Sequence, residues 1–274
     1  MPFPSPPRRR IVGVSTKMYF SAARTRQYVN ELLAITASHA DEYRAIAESV
    51  DVFIIPDHLT LASVVQQLDT SPLPKILPGA QDTFYEDAGA YTGEVSPSVL
   101  AEIGCRIVEL GHAERRRIFG ETDDDAARKA AAAARNGMIP LVCIGERTKP
   151  AEPPAAVAAA AQECRSQVES VMAAVPRDAP VVLAYEPVWA IGAAEPASAA
   201  HVVGVTRHIR QFECLRARPE GSTRILYGGS AGPGLFAKLA ASETDGGGVD
   251  GLFLGRFAHD PQQFWKTIQE IAAA

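Results

Sequence analysis

Val181-Val182-Leu183-Ala184-Tyr185-Glu186 is a short apolar run that ends on a carboxylate. A run of this length with no polar alternation reads as a strand buried on both faces. Seven further runs of the same kind centre on Ile11–Val14, Val52–Ile55, Lys75–Leu77, Arg106–Leu110, Leu141–Ile144, Arg224–Tyr227 and Leu252–Leu254. Between them lie stretches of helical period near residues 21–38, 58–68, 96–103, 122–136, 155–174, 197–216, 232–241 and 261–272. Strand followed by helix, eight times over, demands parallel pairing with right-handed crossovers and helices outside the sheet. The spacing therefore predicts the α/β class and a single closed (β/α)8 barrel. An open doubly wound sheet usually has fewer strands and a glycine-rich turn after the first, where this chain has Ser15-Thr16-Lys17-Met18.

The chain length of 274 residues suits one such barrel, which typically needs about 250. Its 27 basic and 32 acidic side chains leave a net charge of −5, and no Lys/Arg tract extends beyond Arg8-Arg9-Arg10. Nucleic acid and membrane surfaces are thus not expected as partners. No apolar stretch approaches the about 20 residues of a spanning helix. Residues 1–10, with four prolines and no apolar core, are expected to form a disordered N-terminal extension to a catalytic domain over 11–274. Four cysteines without a CxxC pair read as free thiols of a cytoplasmic protein.

In a barrel of this kind the active site gathers where the strands end. Lys17 follows the first strand, His112 and Glu114 the fourth, Glu186 the sixth, Gly228-Gly229-Ser230 the seventh and Gly255-Arg256 the eighth. Singly, each has an ordinary explanation as a cap, a salt-bridge partner or a turn. Together, a carboxylate, an imidazole and an ammonium converge on one mouth beside glycine-rich loops, which suits proton abstraction next to a carbonyl on a small anionic substrate. The reaction class requires neither metal nor redox cofactor, and the His and carboxylate spacing matches no metal motif.

The segments Tyr185-Glu186-Pro187-Val188-Trp189-Ala190-Ile191-Gly192, Leu110-Gly111-His112-Ala113-Glu114-Arg115-Arg116, Tyr227-Gly228-Gly229-Ser230 and Ala90-Tyr91-Thr92-Gly93-Glu94-Val95-Ser96-Pro97 resemble those of the triosephosphate isomerase family, from which the TIM barrel takes its name. The resemblance implies Glu186 as the base that moves a proton between adjacent carbons, His112 as the electrophile at the substrate oxygens and Lys17 as an electrostatic stabiliser. This division between a carboxylate base and a neutral imidazole is taken from the family. Glu114 matches a carboxylate near the same mouth and is equally readable as a charge partner of Lys17 or Arg116. Gly192, Ser230 and Gly255 match the phosphate-binding positions. The resemblance further implies a mobile lid over 187–197 and a homodimer in which the 81–97 loop, with Thr92 near its tip, enters a neighbouring subunit.

Four departures fall in the site. Ser15-Thr16 stands where the family has Asn-Trp, so a long amide becomes a short hydroxyl and space opens beside the substrate. Arg256 replaces a second glycine, Ala113 a serine, and Ala193-Ala194-Glu195-Pro196 a hinge containing Gly and Lys. The expected activity is interconversion of dihydroxyacetone phosphate and glyceraldehyde 3-phosphate. The alternatives are isomerisation of a four-carbon ketose phosphate such as erythrulose phosphate, favoured by Ser15 and Arg256, and a weakened barrel kept as a binding protein.

Overall fold

The computed structural model describes residues 9–149, 155–191, 196–243 and 248–274. Among them are eight strands: β1 (Arg10–Ser15), β2 (Val50–Ile55), β3 (Leu77–Ala80), β4 (Ile107–Leu110), β5 (Ile139–Ile144), β6 (Val181–Tyr185), β7 (Thr223–Tyr227) and β8 (Gly251–Leu254). The helices are α1 (Ala22–Ser38), α2 (Ala40–Ala47), α3 (His58–Asp69), α4 (Pro97–Glu102), α5 (Ala113–Phe119), α6 (Asp123–Arg135), α7 (Ala155–Glu163), α8 (Arg165–Ala174), α9 (Ala199–Arg210), α10 (Glu213–Arg216), α11 (Leu235–Ala241) and α12 (Pro261–Ala273). Each strand pairs in parallel with the next, and β8 returns to β1, so the sheet closes into a (β/α)8 TIM barrel. Among the described residues, no helix is long and apolar enough to cross a membrane.

Alternation along the strands divides the core in two. One set of side chains, including Ile11, Phe53, Ile107, Leu141, Val182 and Leu226, fills the barrel interior. The other set, including Val12, Val52, Val108, Val142 and Leu183, packs outward against the helices. Each such Ile, Leu or Phe contributes about 1.5–3 kcal/mol by leaving water. The helices start where side chains satisfy their free amides: Ser21 accepts from the Arg24 N–H ahead of α1, and Thr122 and Asp125 form a reciprocal capping box on α6. The small Ala126, Ala130 and Ala133 on the buried face of α6 let that helix approach the sheet closely.

Several expectations shift by a few residues. The third strand, read over Lys75–Leu77, runs instead from Leu77 to Ala80 through Pro78 and Gly79, two residues that mask a strand in sequence. Gly79 is there for space: a Cβ would lie 2.7 Å from side-chain atoms of both Ile55 and Ile107. The helix expected over 155–174 is two, α7 and α8, divided at Cys164, and that over 197–216 breaks at the buried Phe212. Helices α2 and α5 were not anticipated.

The N-terminal extension ends earlier than expected. Arg10 opens β1 against Val50, and Arg9 is tied to Asp51 by an ion pair of 2.9 Å and to the Ala47 carbonyl at 2.7 Å. Asp51 also meets Arg224 of β7 at 2.5 Å, and Arg210 meets Asp250 at 2.7 Å just before β8. These ion pairs lie at the rim where strands begin, and one of them neutralises Arg9, a residue expected in the disordered extension. Residues 1–8 lie outside the described residues.

Candidate active site

At the opposite rim, where strands end, Lys17, His112 and Glu186 meet. Lys17 lies two residues past β1, held in the left-handed region at φ 47°. That conformation costs a non-glycine residue about 1–2 kcal/mol and is imposed from both sides. The Thr16 N–H donates to the Ile55 carbonyl at 3.0 Å, and the Gln81 side-chain amide donates to the Lys17 carbonyl at 2.9 Å. The result aims the ammonium inward, 2.9 Å from Glu114 Oε1 and 3.3 Å from His112 Nε2. Burial works against the charged Lys17, but Glu114, Glu186 and Glu109 outweigh it and hold its pKa above the usual lysine value.

His112 caps the N-terminus of α5, where its Nδ1 accepts the Glu114 N–H at 3.1 Å. A donor aimed at Nδ1 assigns the ring's proton to Nε2, which faces Glu186 Oε2 at 3.3 Å. Burial disfavours imidazolium, whereas the carboxylates of Glu186 and Glu109 favour it and lift the pKa to about 9. The main-chain amide acts against that lift, because a second proton at Nδ1 would point at the Glu114 N–H. Glu114 itself is half-exposed; burial raises its pKa, but the Lys17 ammonium draws it below the ordinary carboxylate value.

Glu186 follows β6 and is 4% exposed. Its Oε1 lies 3.8 Å from the Cys143 thiol, whose own ionisation burial opposes. The other wall is Gly228, where a Cβ would stand 2.5 Å from Glu186 Oε1 and 2.6 Å from its Cγ. Gly228→Ala is expected to displace the carboxylate and lower kcat by about 10²-fold, the usual result of an ångström-scale misplacement. Steady-state kinetics beside a thermal melt checks this; an alanine variant with wild-type kcat would show that Gly228 does not fix the carboxylate.

These groups line a cavity of ≈ 130 Å³ whose other walls include Ser15, Ser230, Gly255 and Arg256. Ser15 is 2% exposed and donates to Glu109 Oε2 at 2.9 Å. Ser230 is part-buried, with its hydroxyl 3.5 Å from the Ala190 carbonyl. Gly255 and the exposed Arg256 form the rim after β8, Arg256 opening a short 3-10 turn. Gly192 and the distal lid 193–195 lie outside the described residues. Two carboxylates went unmarked in the sequence reading. Glu109 hides inside the β4 run, and Glu146 collects the Trp189 indole N–H at 2.9 Å, the Tyr185 hydroxyl at 3.1 Å and His201 Nε2 at 3.0 Å, all at one oxygen. That hub fixes the root of the 187–197 segment, and at its far end the Ala197 N–H donates to the Tyr227 hydroxyl at 3.1 Å. Glu146 lies two residues past β5 in Ile144-Gly145-Glu146, a polar residue near a strand end of the kind that marks the other site groups.

The arrangement pairs a buried carboxylate with two donors across one small cavity, which suits carbon acids activated by a carbonyl. Comparison with known proteins agrees. The family model described as "Triosephosphate isomerase" matches residues 10–271. The chain is 44% identical to an L-erythrulose-1-phosphate isomerase of Pectobacterium atrosepticum over 96% of each chain. It is 37% identical to one from Rhizobium etli, over 96% of this chain and 92% of that one. A triosephosphate isomerase of Moorella thermoacetica is 36% identical, over 94% of this chain and 96% of that one. With the barrel, the mouth and these matches in agreement, the chain belongs to the triosephosphate isomerase family.

Proposed function

We propose that this isomerase acts on a four-carbon ketose phosphate, erythrulose 1-phosphate, in preference to dihydroxyacetone phosphate. Glu186 removes the proton from C3, the carbon beside the C2 carbonyl, and the electron pair moves into a C2–C3 enediolate. His112 Nε2–H and the Lys17 ammonium stabilise the negative charge on the oxygens, without which a carbon acid of this kind is too weak for a carboxylate base. The C3 hydroxyl proton passes to the C2 oxygen by way of His112, and return of the carbon-bound proton to C2 leaves the carbonyl on C3, which is erythrulose 4-phosphate when numbered from the other end. C1 carries the phosphate ester, so the carbonyl moves away from it. Ser230, Gly192, Gly255 and the Arg256 main chain hold the phosphate through backbone amides, and Glu114 keeps Lys17 oriented.

Ser15 carries the choice of substrate: a short hydroxyl on the cavity wall leaves room for one more carbon than dihydroxyacetone phosphate has. Similarity to relatives named for erythrulose 1-phosphate supports it. The three-carbon reaction, with glyceraldehyde 3-phosphate as product, uses the same groups and is the secondary activity in this reading. A hydrogen-bonded hydroxymethyl group is worth on the order of 10²-fold in kcat/KM. Wild-type enzyme assayed on both substrates is expected to favour erythrulose 1-phosphate by at least about that factor, and a preference for dihydroxyacetone phosphate would overturn the proposal.

A cytoplasmic homodimer fits the same reading. The 81–97 loop is braced by its own rings, Phe84 lying 4.0 Å from Tyr85 and 4.6 Å from Tyr91 between centroids, and leaves Thr92 exposed. Met18, Ile118 and Phe119 are exposed apolar side chains, of the kind that a second subunit covers. Four free cysteines suit a reducing compartment.

A further inference from the structure

Glu109 is a buried carboxylate to which the proposed proton transfer assigns no part. It stands two residues beyond Ile107 on β4, so it faces the barrel interior, where Ile107 packs with Ile11, Phe53, Leu141 and Leu226. It is 4% exposed, and its hydrogen bond among the described residues comes from Ser15 Oγ at 2.9 Å. None of the arginines pairs with it among the described residues, unlike the neutralised acids at the other rim. Burial and the neighbouring Glu186 carboxylate hold its pKa up at about 7. An apolar side chain would fill this place at lower cost, since a buried carboxyl with one neutral partner is unfavourable.

Its location gives the carboxylate a use. Glu109 and Ser15 line the same cavity as Lys17, His112 and Glu186. In the ring of eight strands, β4 stands across the barrel from β8. A substrate whose phosphate rests on the loops after β7 and β8 therefore extends across the axis, past Glu186, toward the β4 side. The carbon beyond the reacting pair arrives at Glu109. We propose that Glu109, oriented by Ser15, is a further specificity-determining residue, which hydrogen-bonds the terminal hydroxymethyl group of a four-carbon substrate. This rests on the reading under Proposed function and adds the group that enforces it. In either protonation state Glu109 keeps an oxygen for the incoming hydroxyl, and the unmet hydrogen bond penalises a three-carbon substrate that lacks this group.

The test measures kcat/KM on erythrulose 1-phosphate and on dihydroxyacetone phosphate for wild type, Glu109→Leu and Glu109→Gln, each with a thermal melt. The ratio of four-carbon to three-carbon kcat/KM is expected to fall about 50-fold in the leucine variant and about 5-fold in the glutamine variant, which keeps a polar group. A purely structural tie between β1 and β4 would lower both activities together and leave the ratio unmoved, and that result overturns the inference while leaving the proposed function standing. A wild type that favours dihydroxyacetone phosphate overturns both. If the leucine variant does not fold, the near-isosteric glutamine variant decides by the same ratio.

Discussion

Glu186→Gln is expected to lower kcat by about 10³-fold with KM nearly unchanged, because it removes a general base and little else. The amide keeps the volume of the carboxylate, so the contacts with Gly228 and Cys143 persist, and it can still accept the His112 Nε2–H. What it cannot do is take a proton from carbon. Glu186→Asp tests the same point through distance: it retains the charge but withdraws it by one methylene, for an expected loss of about 10²-fold. Pre-steady-state and steady-state kinetics on erythrulose 1-phosphate and dihydroxyacetone phosphate check both. A glutamine variant that isomerises either sugar phosphate at wild-type rate would assign the proton transfer to another group.

Lys17→Gly should separate activity from stability. Under the proposed function, removing the ammonium takes a full charge from beside a phosphate dianion and a developing enediolate, so kcat/KM is expected to fall by about 10³-fold, with kcat and KM both affected. The backbone, however, gains. At φ 47° glycine escapes strain of about 1–2 kcal/mol, which offsets its larger entropy loss of about 0.5–1 kcal/mol. The variant is therefore expected to melt close to the wild-type temperature while nearly inactive. A large drop in Tm would mean that the Lys17–Glu114 ion pair, with side chains 26% and 44% exposed, holds the fold more than such part-exposed pairs do.

The barrel was legible because its strands are apolar on both faces and the stretches between them keep a helical period, as in α1, α6 and α12. Pattern failed at β3, where Pro78 and Gly79 disfavour a strand by residue type and Gly79 fits a gap between Ile55 and Ile107 too narrow for a Cβ. It failed again at α5, a helix of seven residues with none buried, where no apolar stripe exists to be read. At the mouth, the polar residues that follow strands carry the signal, and Lys17, His112 and Glu186 do converge. Glu109 escaped because a single acid inside Ile-Val-Glu-Leu looks like a blemish in a strand. Only the two-residue period, counted from Ile107, turns it toward the cavity.

The ion pairs of Arg9, Asp51 and Arg224 fasten β1, β2 and β7 at the end of the cylinder remote from the cavity. Those clasps stand clear of the pocket, so edits near Ser15 or Arg256 leave them untouched. A lineage built on such a frame can exchange one sugar for another through a handful of inherited changes, each tried without wagering the whole architecture.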